Sequence, residues 1–158
     1  MVDAAFGATT GETINPAKLN GRTVLYIYPM TGRPDTPLPD GWDDIPGARG
    51  CTPQSCGFRD QHSDFLEANI HVLGLSTQST QYQLEAQQRL HLAFPLLSDE
   101  SRLLKHQLSL PTFTADGLEL YRRVTLVINS GVIEKVFYPV FPPGDNARDV
   151  VDWLTRNT

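Results

Sequence analysis

The chain has 158 residues and a formal net charge of −5, which fits one domain over residues 1–158 with length enough to bury a sizeable core. An acidic balance excludes the basic surface that nucleic acid or an anionic membrane would need as a partner. The start, Met1 to Phe6, has no basic region or long apolar run, and no stretch approaches the ~20 apolar residues that span a bilayer. A cytoplasmic setting is therefore expected.

Arg22 to Tyr28 is rich in β-branched and aromatic residues and predicts a central strand buried on both faces, stopped by Pro29. Residues 30–49 hold four prolines and three glycines, a Pro/Gly-rich insertion in which no helix or strand pattern survives. Loops of that length inside a small domain are usually functional or mobile. Thr52-Pro53 then predicts a helix start, with Thr52 as N-cap and Pro53 at the first helical position. The helix should run through Cys56 and Phe58 to about Leu66. Asn69 to Leu75 predicts a second buried strand, and Thr80 to Leu90 a polar helix. Ser98-Asp99-Glu100 should cap a helix with Leu103, Leu104 and Leu108 on its apolar stripe. Leu118 to Ile128 predicts a strand, Asn129-Ser130-Gly131 a tight turn, and Val132 to Tyr138 the returning strand. A final helix carries Ala147, Val150, Val151 and Leu154 on one face. The order β-α-β-α-α-β-β-α implies an α/β fold, a mixed central sheet flanked by helices, as in thioredoxin-like proteins.

Only two cysteines are present, Cys51 and Cys56. In a reducing compartment such a close pair is more often redox-active or metal-binding than a static bridge. The four histidines are scattered without ligand spacing, so no metal site is expected. A cysteine attacks only as thiolate. Cys51 sits at the predicted helix start, where free N–H groups and the helix dipole favour an anion, and Arg49 could add a positive charge. Five residues apart in a helix, the two Cα atoms would be about 8–9 Å apart. A disulfide needs less than about 7 Å. The pair therefore bonds only if the first turns of the helix unwind. By these residues alone, a redox role and a plain role as small core residues stand about level.

Gly50-Cys51-Thr52-Pro53-Gln54-Ser55-Cys56-Gly57-Phe58-Arg59-Asp60 closely resembles the active-site helix of peroxiredoxins, in particular the Q or bacterioferritin comigratory subfamily. The resemblance extends over most of the chain. It takes in Tyr28-Pro29, Val72 to Ser76, the Phe94-Pro95-Leu96-Leu97-Ser98-Asp99 segment and the strand Arg123 to Ile128. It implies an atypical two-cysteine, thiol-dependent peroxidase acting on hydrogen peroxide and organic hydroperoxides. Cys51 would be the peroxidatic cysteine, Cys56 the resolving cysteine that forms a Cys51–Cys56 disulfide, and Arg123 the guanidinium that stabilises the thiolate. A thioredoxin-like dithiol would recycle the enzyme, with no metal or organic cofactor. One departure stands out. The family usually carries Pro seven residues and Thr or Ser three residues before the reactive cysteine, where this chain has Asp44 and Ala48. Tyr28-Pro29-Met30-Thr31 looks like the first part of that motif, displaced by the insertion, which makes Thr31 and Thr52 the candidate substrate-binding residues. A redox sensor switched by the same disulfide is the alternative function, and a monomer is the default state.

Overall fold

The computed structural model describes residues 1–158. Its backbone opens with strand β1 (Phe6–Ala8), which turns back as β2 (Thr13–Ile14), then runs into β3 (Arg22–Ile27). After the insertion come helices α1 (Cys51–Asp60) and α2 (His62–Glu67), strand β4 (His71–Ser76) and helix α3 (Thr80–Arg89). Strand β5 (Leu96–Ser98) and helix α4 (Leu103–Leu108) follow, then a hairpin of β6 (Thr112–Ala115) and β7 (Leu118–Tyr121). The chain ends with β8 (Val124–Asn129), β9 (Val132–Phe137) and α5 (Asn146–Arg156).

Seven strands form one mixed sheet in the order β2-β1-β5-β4-β3-β8-β9, and β6-β7 pair separately. As expected, β3 lies at the centre, parallel to β4 and antiparallel to β8. The period-2 alternation of β3 decides what each face buries. Val24, Tyr26 and Tyr28 join a core with Cys51, Phe58, Phe65, Val150 and Leu154, under α1, α2 and α5. Leu25 and Ile27 join the opposite core, with Phe6, Leu104, Tyr121 and Leu126. Both faces are covered, so the strand carries no polar alternation. This mixed sheet between helices is the thioredoxin-like α/β arrangement.

Three expectations are corrected. The helix expected from a Thr52 cap to Leu66 starts at Cys51, with Gly50 as N-cap and no side-chain cap, and it breaks at Gln61 into α1 and α2. Gly50 has φ 111°, and a Cβ built there would meet Pro143 Cγ at 2.7 Å, so only glycine admits this entry into the helix. Pro53 still falls in the first turn, where its missing N–H costs nothing. The strand expected over Leu118 to Ile128 is two strands, interrupted at Arg122-Arg123. The first half pairs with β6 outside the main sheet and the second joins β3. The sheet is also wider than expected, because β1, β2 and β5 extend it on the β4 side.

Local signals elsewhere hold. Ser79 accepts from the Tyr82 N–H at 3.1 Å and caps α3. The Asp99 carboxylate accepts from the Leu103 and Leu104 N–H groups at 2.8 and 3.1 Å, and so caps α4 from four residues upstream. The turn between β8 and β9 uses Ser130 and Gly131, both with positive φ, as a two-residue hairpin requires.

Candidate active site

The carboxyl end of β3 delivers Met30 to the start of α1, where its N–H points to Cys51 Sγ at 3.4 Å. Cys51 is the first residue of α1 and is 4% exposed. Its sulfur lies 3.9 Å from the Ala48 carbonyl. Arg123 enters from the break between β7 and β8. It donates from Nη1 to Gln54 Oε1 at 2.7 Å and from Nη2 to the Ala48 carbonyl at 2.9 Å. These two acceptors fix the guanidinium, a two-point grip that a lysine cannot reproduce.

Burial pushes the Cys51 thiol up; the Arg123 charge, the Met30 N–H and its own backbone N–H at the helix start oppose that rise, and the net direction stays upward. The sequence led to a thiolate favoured by the helix start. The structure adds the cost of burying that anion, which makes the fixed cation necessary. Arg49 does not supply it, being exposed and loosely paired with Asp43 at 4.0 Å.

A cavity of about 300 Å³ opens onto Cys51. Its walls include Met30, Leu38, Trp42, Thr52 and Pro53, so the insertion contributes most of the cavity wall. Trp42 is anchored from behind, with its ring 5.9 Å from that of Phe113, in a small core shared with Ala48, Ala115 and Leu120. One side chain thus both packs the insertion onto the domain and lines the cavity. A larger cavity, about 890 Å³, lies near Gly21, Asn69 and Leu154 and contains no cysteine. It is far from this chemistry, and volume alone does not mark the site.

Cys56 is half-buried and packs against the core beneath α1. Both cysteines are free thiols, and α1 is continuous from one to the other. The helix spacing of about 8–9 Å therefore applies, beyond disulfide reach. Thr52 lies on the cavity wall. Thr31 does not: it is buried, its N–H donates to Gln78 Oε1 at 3.1 Å and its carbonyl accepts from the Tyr82 hydroxyl at 2.9 Å. Its hydroxyl has no hydrogen-bond partner, and the donor beside the sulfur is the Met30 N–H instead. Arg59 is structural, donating to the Leu90 carbonyl at 2.9 Å. Sequence reasoning missed Gln54 and Asn146. Gln54 Nε2 donates to Asn146 Oδ1 at 3.1 Å, a pairing across 92 positions that no local pattern reveals.

A buried thiol on the wall of a small cavity, with a fixed guanidinium and backbone N–H groups acting on it, can stabilise charge developing on sulfur and on a departing oxygen. A family model described as Redoxin matches residues 3–153. Peroxiredoxin Bcp of Escherichia coli (strain K12) is 30% identical over 152 residues, which cover 93% of this chain and 87% of that one. Chloroplastic peroxiredoxin Q of Sedum lineare is 29% identical over 137 residues, covering 84% of this chain and 63% of that one. The chain thus spans less than two thirds of that chloroplastic relative. Among solved structures, peroxidoxin BcpB from Mycobacterium tuberculosis superposes with a TM-score of 0.80 at 23% identity, covering 100% of this chain and 95% of the other. The bacterioferritin comigratory protein of Xanthomonas campestris, studied for its alkyl peroxide reduction activity, does so at 0.78 and 20% identity, covering 98% and 92%. These structural matches share the fold. On the family match and the sequence relatives, the chain belongs to the redoxin family, in its peroxiredoxin Q and Bcp branch.

Proposed function

We propose that residues 1–158 work as one thiol-dependent peroxidase domain. The Cys51 thiolate attacks one oxygen of a hydroperoxide, the O–O bond breaks, and water or an alcohol leaves as Cys51 becomes a sulfenic acid. The Cys56 thiol then displaces water from that sulfenic acid and closes the Cys51–Cys56 disulfide. A dithiol reductant of the thioredoxin type attacks the disulfide and restores both thiols. The single observation that carries this reading is the convergence of the Met30 N–H and the Arg123 guanidinium on the Cys51 site at the start of α1. Thr52 on the cavity wall orients the peroxide, and Thr31 supports the strand-to-loop corner behind it. No organic cofactor or metal takes part in the scheme. The protein works as a monomer in the reducing cytoplasm, where two free thiols are maintained.

Leu38, Trp42 and Met30 give the cavity an apolar wall, which supports an organic hydroperoxide alongside hydrogen peroxide as substrate. Stopped-flow oxidation of the reduced protein tests the reading. Wild type should lose Cys51 thiol far faster than a free thiol does. Cys51→Ser should abolish that phase, and Cys56→Ser should keep it but stop at the sulfenic acid. Equal, slow oxidation in all three proteins would contradict the peroxidase and bring the redox-sensor alternative forward.

A further inference from the structure

Closing the disulfide requires α1 to unwind between Cys51 and Cys56, and Gln54 lies between them. Gln54 is fully buried, 0% exposed, as is Thr125 of β8, while Asn146 at the start of α5 is 2% exposed and Arg123 is 3% exposed. The four form one chain of hydrogen bonds. Arg123 Nη1 donates to Gln54 Oε1 at 2.7 Å, and Gln54 Nε2 donates to Asn146 Oδ1 at 3.1 Å. Thr125 Oγ1 donates to the same Asn146 oxygen at 2.7 Å. Thus one amide oxygen ties the helix that must open to the sheet and to α5, which stay folded. Through Gln54 it also ties that helix to the guanidinium that acts on the sulfur. Unwinding α1 strips Gln54 from both partners at once, and buried partners left alone are costly.

We infer that Asn146 is a positioning residue. Its amide oxygen latches Gln54, holds Arg123 at Cys51 while peroxide is attacked, and sets the free energy at which α1 opens for Cys56 to displace water from the Cys51 sulfenic acid. The inference rests on the peroxidase reading for its purpose, but the latch itself is tested without peroxide. Hydrogen exchange of the reduced protein reads the opening of α1 directly. In Asn146→Leu the amides of residues 54–57 should exchange about three- to tenfold faster, the loss of one buried hydrogen bond, while β3 and β8 amides keep wild-type rates.

The pH midpoint of Cys51 alkylation should move up in the same variant, because Gln54, released from Asn146, holds Arg123 less firmly; a purely structural role would leave it in place. Thr125→Val, which removes the hydrogen bond from the sheet to Asn146, should shift both readouts the same way by less, and Thr125→Ser should restore wild-type behaviour. Thr125→Val also decides the matter if Asn146→Leu does not fold. Unchanged exchange at residues 54–57, uniform acceleration of all amides, or an unmoved alkylation midpoint would each overturn the latch. A wild-type Cys51 that peroxide oxidises no faster than a free thiol would overturn the peroxidase reading instead, and the exchange result would still decide the latch.

Discussion

At the scale of single residues, Cys51 is a buried thiol with one fixed cation behind it. Arg123 earns its position through two acceptors, Gln54 Oε1 and the Ala48 carbonyl. Arg123→Met should therefore move the alkylation midpoint of Cys51 to higher pH, since burial that already raises the thiol would act with less opposition. The sign is fixed: at any neutral pH less thiolate is present, so oxidation slows. With the loss of charge stabilisation in the transition state as well, the rate constant with hydrogen peroxide should fall roughly a hundredfold. Stopped-flow rates across a pH series check both effects, and Arg123→Lys should recover only part, because an ammonium cannot grip both acceptors. Much of this was legible. Cys51, Cys56 and Arg123 stand in a short motif and at the start of an apolar run. Asn146 and Gln54 were not, because their pairing joins α1 to α5 through space. Nor was the Thr31 hydroxyl's exclusion from the cavity, which follows from the way Gln78 and Tyr82 hold its backbone.

At the scale of elements, α1 is held by what surrounds its ends. Gly50 enters the helix at φ 111° against Pro143. Gly50→Ala should destabilise the protein by about 1–3 kcal/mol, the cost of a strained non-glycine backbone, read as a lower urea midpoint. A Cβ at Gly57 would stand 3.0 Å from the Gly144 carbonyl, so this glycine lets α1 lie close against the start of α5. The insertion acts as a wall of the site. Trp42→Ala should lower kcat/KM for a bulky organic hydroperoxide about tenfold relative to hydrogen peroxide, the scale of one lost apolar contact surface. An equal loss for both substrates would show that Trp42 only packs the loop. Periodicity located β3, β4, α3, the β8-β9 hairpin and α5. It fused β7 with β8, because strand-forming residues continue from Leu118 to Ile128 and the break at Arg122-Arg123 has a tertiary cause. Short strands β1, β2 and β5 carry too few residues to show a period, and their pairing across the sheet decides them.

At the scale of the whole molecule, the fold sets the helix with both cysteines against a sheet that carries none. The sheet, with α2 and α5 packed on it, keeps Arg123, Thr125 and Asn146 in place, while α1 carries both cysteines on a segment that must unwind to join them. The composition and the order of strands and helices were enough to anticipate a mixed sheet between helices. They said nothing of the buried polar chain that joins α1 to the sheet and to α5. The most direct test of the account is to treat the reduced protein with one equivalent of hydrogen peroxide, quench it over a time course, and map the products by mass spectrometry. The account predicts oxygen on Cys51 first and a Cys51–Cys56 linkage next. Oxygen appearing first on Cys56, or a fully oxidised protein with no linkage between the two, would contradict it.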